Sequence, residues 1–308
     1  MADLGINIAG MHFKNPVTTA SGCFGYGEEF RDFYDPGLLG GIFVKAVTGS
    51  NREGNKYPRM AETTGGMLNS VGLQNKGVDN FCKVIYPGIK DFNTHLIVNV
   101  SGSTIDEYVM VAERINELEG IPAIELNISC PNVKEGGIQF GTDPAQVAKI
   151  TAALRKVCKK NILIVKLSPN VTDITATARA AVENGADALS MGNTFTAMVI
   201  DVENRRPVLG NGTGGLSGPA IRPIAVRMVH QVYSQVTGPA GVPIIGMGGI
   251  QYARDAVEFL LAGATALAVG TALFVNPGCI VSIRDGIADY LRRHHCRSVK
   301  EIIGAVHA

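Results

Sequence analysis

The stretch AIELNISC, residues 123–130, is a run of apolar residues interrupted by polar side chains towards its end. Similar runs recur along the whole chain. They are PVTTASG (16–22), GIFVKAVT (41–48), HLIVNVSG (95–102), ILIVKLSP (162–169), ALSMGNTF (188–195), VPIIGMGG (242–249) and ALAVGTAL (266–273). Short apolar runs that end in small or polar residues are typical of buried strands. The sequence therefore predicts eight buried strands.

Helix start signals lie between most of these strands. Thr104 followed by Glu107 is a capping-box pattern, and its helix is predicted to run to Gly120. Asp143 and Pro144 open a second helix, with proline at its first position. Further helices are predicted from Asp173 to near Gly185, from Gly218-Pro219, and from Tyr252 to Gly263. Strands that alternate with helices form parallel units, and eight such units predict an α/β fold, a closed (β/α)8 TIM barrel.

No linker or low-complexity segment divides the chain, so residues 1–308 are predicted to form a single barrel domain. Two long inserts, residues 49–94 and 196–217, interrupt the alternation of strands and helices. Long loops in a compact domain are usually functional or mobile. We expect both inserts at the C-terminal face of the barrel.

Composition excludes several classes of protein. The formal net charge is +1 at pH 7, which gives no electrostatic footprint for nucleic acid or an anionic membrane. The N-terminus lacks a basic region before an apolar core, so no signal peptide is predicted. Residues 259–283 carry no charge, but glycines and Pro277 divide them into a helix end, a buried strand and the start of the next helix, so a membrane-spanning helix is not predicted here.

The cysteines argue against a metal site. They are Cys23, Cys82, Cys130, Cys158, Cys279 and Cys296. No CxxC pair, HExxH motif or Cys/His zinc pattern occurs, so neither structural metal nor an iron–sulfur cluster is predicted on this chain. Dispersed free thiols suit the cytosol, and we expect a cytoplasmic protein.

Active sites in (β/α)8 barrels lie at the C-terminal ends of the strands. Lys45 and Lys166 each interrupt an apolar strand there, and burial of a lysine is costly unless an anion accompanies it. One interpretation is a structural ion pair, for instance with Glu125. The other is a pair of cations directed at a bound anion, or at a ring that becomes anionic.

Glycine and asparagine residues add to the predicted site. The sequences GMGG after the seventh strand and VGT in the eighth lie where such barrels bind phosphate through backbone amides. No GxGxxG follows a strand, so a Rossmann dinucleotide site is not predicted. Asn99, Asn127, Asn132 and Asn193 could each cap a turn. Together at one barrel mouth they suit a planar ligand that carries amide groups.

Cys130 is the most specific candidate for chemistry. A lone cysteine is usually a small buried hydrophobe, and a metal ligand or a nucleophile are further alternatives. Its position at a strand end, beside Asn127 and before a Gly-Gly loop, argues against a purely structural role. An unperturbed thiol with a pKa near 8.5 can act as an acid or a base near neutral pH.

These motifs together resemble the class 1 dihydroorotate dehydrogenases, the FMN-dependent enzymes of pyrimidine synthesis. The resemblance covers essentially the whole chain, with NISCPNVK, FVKAVT, NSVGLQN and LSGPAIRP as its most specific parts. ASGCFGYG and the NVKEGG loop are most similar to class 1B, the NAD-linked branch. The implied reaction is the oxidation of (S)-dihydroorotate to orotate, with Cys130 as the base for the C5 proton and FMN as acceptor of the C6 hydride.

The resemblance also implies binding residues. Those for FMN are Ser21, Lys45, Ala46, Asn99, Asn127, Lys166, Gly192, Gly218, Gly248, Gly249, Gly270 and Thr271, of which the last four would hold the phosphate end. Those for dihydroorotate or orotate are Lys45, Asn69, Ser70, Val71, Gly72, Leu73, Asn127, Asn132, Asn193 and Thr194. Two residues depart from the family pattern: Cys23 replaces a frequent threonine, and Gly192 replaces a larger apolar residue.

Class 1B also implies a partner, a subunit that carries FAD and a [2Fe–2S] cluster and passes electrons to NAD. The expected assembly is a heterotetramer built around a homodimer of this chain, with no contact to nucleic acid or membrane. Class 1A homodimers use fumarate instead. The alternatives are a transfer-RNA dihydrouridine synthase, a dihydropyrimidine dehydrogenase-like enzyme, a non-redox barrel enzyme that binds a phosphorylated metabolite, and a non-catalytic scaffold subunit.

Overall fold

The structure, a computed structural model, describes residues 2–129 and 140–306. Its first strands are β1 (Ile6–Ile8), β2 (Met11–Phe13), β3 (Val17–Thr19), β4 (Gly41–Val47), β5 (Met60–Thr63), β6 (Gly66–Asn69), β7 (His95–Val100) and β8 (Ala123–Asn127). The later strands are β9 (Ile162–Lys166), β10 (Ala188–Met191), β11 (Phe195–Ala197), β12 (Ile200–Asp201), β13 (Arg206–Pro207), β14 (Gly214–Ser217), β15 (Ile244–Met247) and β16 (Ala266–Val269).

The α-helices of the described residues are α1 (Val78–Asn80), α2 (Tyr86–Ile89), α3 (Ile105–Asn116), α4 (Pro144–Val157), α5 (Ile174–Glu183), α6 (Arg222–Val232), α7 (Gly238–Ala240), α8 (Ala253–Leu261), α9 (Ala272–Val275) and α10 (Cys279–Arg293). Two π-helical segments, Phe81–Ile85 and Tyr233–Thr237, join neighbouring helices. The 3-10 turns are Glu28–Phe30, Pro36–Leu38, Pro219–Ile221 and Val299–Ile302.

Eight parallel strands close into a barrel in the order β3-β4-β7-β8-β9-β10-β15-β16, with β16 paired to β3. Each of the eight apolar runs in the sequence contributes one of these strands, so the predicted barrel is confirmed. The strands are almost entirely buried, because the barrel interior covers one face and the surrounding helices cover the other. All polar residues at the carboxyl ends of these strands consequently meet at one rim.

The helices pack an apolar stripe against the strands. Helix α3 buries Tyr108, Val111, Ala112 and Ile115, which share one face at the spacing of an amphipathic helix. The hydroxyl group of Tyr108 donates a hydrogen bond to the carbonyl of Asn127 over 2.7 Å. Helix α3 thereby supports the carboxyl end of strand β8.

Helix starts agree with the sequence better than helix ends. The side chains of Thr104, Asp143 and Asp173 each accept a backbone N–H at the start of α3, α4 and α5. Helix α3 ends at Asn116, before the predicted end at Gly120. The carboxylate of Glu107 accepts the N–H of Ser103, where the capping-box pattern predicts the N–H of Thr104.

Replacing Thr104 with alanine is expected to destabilise the protein by about 1 kcal/mol, because the N–H of Glu107 loses its acceptor. The measurement is the midpoint of unfolding in urea. Thr104→Ser keeps a hydroxyl acceptor and should remain close to wild type. Equal destabilisation by both substitutions would contradict a capping role.

The two inserts, expected as long loops, form regular structure. Strands β5 and β6 of the first insert and β11 and β14 around the second make one antiparallel sheet, in the order β11-β14-β6-β5. Strands β12 and β13 form a hairpin, and α1 and α2 also lie in the first insert. Pairing between segments far apart in sequence leaves no local signal, which explains why the sequence predicted loops here.

Two further elements were not predicted from the sequence. The hairpin β1–β2 precedes the barrel, and the ring of Phe13 approaches Gly41 at the start of β4. Helix α10 follows the last barrel strand and buries Ile280, Ile283, Ile287 and Leu291. In the described part of the chain, none of the helices combines the length and apolar character that crossing a bilayer requires.

Candidate active site

A cavity of about 470 Å³ opens at the carboxyl ends of the barrel strands. Ser21 lines it after β3, Lys166 at the end of β9, and Gly192 after β10. Gly248 and Gly270 line it after β15 and β16. The volume lies within the range of about 300–1,000 Å³ typical of small-molecule sites. Five barrel strands thus contribute to one cavity at the rim where barrel active sites occur.

Glycines shape one end of this cavity. Gly248 and Gly249 have φ angles of +131° and +74°, and Gly218 opposite them has +96°. A Cβ atom on Gly249 would lie 2.6 Å from the carbonyl oxygen of Gly218. The hydroxyl of Thr271 donates to Ser217 Oγ over 2.8 Å at the same end. Side chains are absent where the turns approach most closely, so backbone groups form this wall.

A buried polar network borders the cavity at Ser21 and Lys166. Glu125 in β8 is fully buried, and its Oε2 accepts hydrogen bonds from Ser21 Oγ at 2.9 Å and Asn99 Nδ2 at 2.5 Å. Lys166 Nζ donates to Ser21 Oγ at 3.1 Å and lies 4.0 Å from Glu125 Oε2. Asn127 Nδ2 donates to Asn99 Oδ1 at 3.4 Å. The structural ion pair considered for Glu125 therefore involves Lys166, which also lines the cavity.

The backbone is irregular where strand β4 carries Lys45. The pairing of β4 with β7 shifts register between Val44 and Val47, and the amide of Lys45 donates to the carbonyl of Gly25 over 2.9 Å. Burial lowers the pKa of the Lys45 ammonium group, an effect that the nearby Cys23 and Glu29 partly offset. No hydrogen bond or ion pair from a described residue reaches Lys45 Nζ. Its charge is therefore available to a bound anion.

Cys23 is the residue expected to depart from the threonine that is frequent in the family pattern. It lines the cavity, and its Sγ would be 3.3 Å from a Cβ atom on Gly270. Burial raises the pKa of Cys23 to about 11, although Lys166 and Lys45 act in the opposite direction. The thiol is therefore protonated at neutral pH and poorly suited to serve as a base.

Alkylation of Cys23 by iodoacetamide at pH 8 is expected to be about 100-fold slower than that of an unperturbed thiol. The reason is that a pKa of about 11 in place of 9.0 lowers the thiolate fraction by about that factor. Peptide mapping after timed labelling of the apo-protein measures the rate, with the partly exposed Cys296 as internal control. Labelling of Cys23 at the rate of a free cysteine would contradict this prediction.

The residues predicted to hold the substrate lie in two places. Asn193 and Thr194 line the cavity, where the N–H of Thr194 donates to Asn193 Oδ1 over 2.8 Å. Asn69 ends β6 in the insert sheet, where its Nδ2 donates to the carbonyl of Gly215. The buried hydroxyl of Ser70 forms no hydrogen bond with any residue that the structure describes. The insert sheet therefore brings Asn69 and the strand after Thr194 into one layer, and residues 70–73 follow that sheet directly in sequence.

The structure brings most of the predicted FMN residues together. Those that line the cavity are Ser21, Lys166, Gly192, Gly218, Gly248, Gly249, Gly270 and Thr271. Asn99 and Asn127 join the cavity through the network around Ser21. Lys45, Ala46 and the segment 69–73 are not among the lining residues. Cys130 and Asn132 lie outside the described residues.

Sequence reasoning missed several lining residues. Glu62, Thr63, Gly65, Gly66, Met67 and Ser217 come from the insert sheet, and Gln251 follows β15. The only sequence feature that indicated a role for these insert residues was the length of the two inserts. Glu125 was considered as an ion-pair partner and not as a site residue, although a carboxylate inside an apolar strand is itself a signal.

A second, larger groove of about 700 Å³ lies beside Pro169, Asn170 and Phe195. Among the described residues that line it, Asp173 is the only acidic or basic one, and its carboxylate already caps helix α5. The smaller cavity therefore remains the better candidate. Among the described residues, no group of three or more His, Cys, Asp and Glu side chains is arranged to hold a metal ion.

The closed barrel and its strand-end cavity place this chain among the (β/α)8-barrel enzymes. Residues 3–291 match the family model described as dihydroorotate dehydrogenase. The chain belongs to the dihydroorotate dehydrogenase family of oxidoreductases. The family inferred from the motifs and the oxidoreductase class are thereby confirmed, and the match decides against the transfer-RNA and non-redox alternatives.

Relatives in the family match this chain over almost its full length. One from Bacteroides thetaiotaomicron is 60% identical over 306 residues, covering 99% of each chain. One from Alkaliphilus oremlandii is 52% identical over 302 residues, covering 98% of each. Both are called dihydroorotate dehydrogenase B (NAD(+)), catalytic subunit. A crystal structure of the Eimeria tenella enzyme with ferulenol superimposes with a TM-score of 0.83, covering 98% of this chain and 88% of that one. At 24% identity, this likeness concerns the fold.

Proposed function

We propose that this chain oxidises (S)-dihydroorotate to orotate in de novo pyrimidine (UMP) synthesis, as the catalytic subunit of an NAD-linked enzyme. The observation that carries the proposal is the 60% identity, over nearly the full length, to relatives named as NAD-dependent catalytic subunits. The cavity supports it, because charged, amide and glycine groups converge at the strand ends as such a reaction requires.

The residues of the cavity fit FMN. At one end, the turns at Gly248 and Gly218 pack so closely against neighbouring residues that a Cβ atom would clash, and the wall that they give the cavity consists of backbone groups, which suits a phosphate. Where the polar network borders the cavity, Ser21 and Lys166 offer a hydroxyl group and a cation to a polar ring edge. The chemistry that FMN supplies when bound is acceptance of the C6 hydride. Lys166 would stabilise the negative charge that develops there.

Substrate binding would use Lys45 and the amide side chains. The Lys45 ammonium group has no hydrogen-bond or ion-pair partner among the described residues and would bind the carboxylate of dihydroorotate. Asn127 and Asn193, with Asn69 and Asn132, would bind the amide edges of the ring. Because burial lowers the pKa of Lys45, binding of an anion there would weaken as the pH rises through that pKa. These contacts would fix the ring between the proton acceptor and the hydride acceptor.

Cys130 would be the base that removes the C5 proton. In the sequence it follows Ser129, which lies two residues after the end of strand β8. Cys23, which lines the cavity, is a poor alternative base because its pKa is raised to about 11. Proton removal by Cys130 on one face and hydride loss from the other would leave orotate. Residues 1–308 would form one domain, and the protein would act in the cytoplasm.

Electrons would leave through a partner. The relatives' names call them catalytic subunits, which implies a second subunit. We infer that the partner carries FAD and a [2Fe–2S] cluster and reduces NAD. This chain carries no Rossmann fingerprint in its sequence, and so it must pass its electrons on. A homodimer of this chain within a heterotetramer is the proposed assembly.

The deciding experiment is the visible spectrum of the purified protein and its change on anaerobic addition of dihydroorotate. A yellow protein that bleaches supports FMN and substrate together, and NAD reduction that needs a second subunit supports the NAD-linked type. A yellow protein that ignores dihydroorotate would contradict the substrate. A colourless protein that FMN cannot reconstitute would contradict the proposal as a whole.

A further inference from the structure

Glu125 is a fully buried carboxylate to which the reaction as described assigns no role. It lies in the middle of the barrel wall, directly opposite Asn99 in the register of β7 and β8. Burial of a carboxylate is expensive unless hydrogen bonds and an opposite charge compensate for it. No described residue forms a hydrogen bond with its Oε1, so within the described part of the chain that compensation is concentrated on Oε2. An arrangement this costly for stability calls for a functional reason.

The contacts of Oε2 order three of the proposed cofactor residues. Ser21 donates its hydroxyl proton to Oε2, so the lone pairs of Ser21 Oγ accept from Lys166 and Asn99. Asn99 also donates to Oε2 directly, which fixes which way its amide faces. The carboxylate therefore determines the donor and acceptor roles of Ser21 and Asn99, together with the position of the Lys166 ammonium group.

The carboxylate also moderates the charge of Lys166. Glu125 Oε2 and Lys166 Nζ lie 4.0 Å apart, and both side chains are almost completely buried. Screening by water and salt is weak in such a place. A ligand that gains negative charge on reduction would therefore sense Lys166 together with Glu125 and not Lys166 alone.

We propose that Glu125 is a positioning residue that orients Ser21, Asn99 and Lys166 and sets how strongly the site prefers reduced over oxidised FMN. The inference rests on the proposed function, because it takes FMN as the occupant of the cavity. Glu125 limits the stabilisation that Lys166 gives to the reduced, negatively charged form. It thereby keeps electrons able to leave towards the partner.

The test is the substitution Glu125→Gln, which keeps the shape of the side chain and an oxygen acceptor while removing the charge. Reduced FMN should then bind more tightly relative to oxidised FMN by about tenfold, which raises the two-electron midpoint potential by about 30 mV. Anaerobic titration against a reference dye measures the potential, and titration of the apo-protein with FMN measures the affinity. An unchanged potential in a folded, FMN-loaded variant would overturn the proposal.

Two further variants separate charge from structure. Asp187 directly precedes strand β10, away from the cavity. Its carboxylate pairs with Arg155 and accepts a hydrogen bond from the N–H of Leu163 in β9, and Asp187→Asn removes the charge of that carboxylate. It should lower stability and leave the potential unchanged. Glu125→Asp keeps the negative charge, but its shorter side chain moves the carboxylate away from Ser21 and Asn99 and weakens those hydrogen bonds. It should weaken FMN binding while the preference for reduced FMN changes less than threefold.

Glu125→Asp also provides the test if Glu125→Gln does not fold. A tenfold change in redox preference in Glu125→Asp would contradict the role of the charge, and unchanged FMN affinity would contradict the positioning role. Failure of the proposed function is distinguishable from either result. In that case the wild-type protein itself would not bind FMN or would not be reduced by dihydroorotate.

Discussion

Replacing Cys130 with serine is expected to slow reduction of the bound flavin by dihydroorotate by a factor of about 10²–10⁴ at pH 7. The reason is that a thiol has an unperturbed pKa near 8.5, whereas a serine hydroxyl is too weak an acid to supply an equivalent base. Affinities for FMN and orotate should stay within about threefold of wild type, because the two side chains are nearly isosteric. Stopped-flow absorbance after anaerobic mixing measures the rate.

The pH dependence makes this test more specific. In wild type, flavin reduction should rise with pH as the thiol ionises, whereas the serine variant should keep rising beyond the point where wild type levels off. Cys296→Ser is the matched control, because Cys296 lies near the C-terminus and outside the cavity. A serine variant of Cys130 that reduces its flavin at the wild-type rate would remove Cys130 from the mechanism.

The barrel could be predicted from the sequence because each of its strands corresponds to a short apolar run that is visible locally in the sequence. Runs such as ILIVKLSP are apolar except for one lysine near the end and stop at small residues or proline, as is typical of strands buried on both faces. Strands β5, β6 and β14 carry no such signal. Their residues are largely half-buried or exposed, and they include glycines with little strand propensity. Contacts with a distant segment of chain override local preference there.

The candidate site divides in the same way. Ser21, Lys166, Gly248 and Gly270 could be placed because each stands at the end of a predicted strand, and every barrel strand ends at the same rim. The network around Glu125 requires register as well, since Asn99 and Glu125 are partners only in the observed pairing of β7 with β8. The position of Lys45 depends on the register shift between β4 and β7, and the sequence FVKAV contains no feature that predicts this shift.

Replacing Gly249 with alanine is expected to weaken FMN binding by a factor of about 100 or more, equivalent to about 2.7 kcal/mol. Gly249 has a φ of +74°, which costs an alanine about 1–2 kcal/mol. In addition, the new Cβ atom would lie 2.6 Å from the carbonyl oxygen of Gly218 and 2.9 Å from Arg222 Cβ. Backbone cannot yield as a side-chain tip can, so one of the two turns that line the cavity must move.

Gly241→Ala is the control that separates the backbone strain of a positive φ from the steric clash of the added Cβ atom. Gly241 has a similar φ of +67°, but nothing lies within 4 Å of its added Cβ atom. Both variants should lose comparable stability from the backbone conformation, while FMN affinity should fall only in Gly249→Ala. Titration of each apo-protein with FMN, followed by quenching of flavin fluorescence, measures the difference. If the two variants bind FMN equally well, the glycine turns at Gly249 and Gly218 do not form the phosphate end of the site.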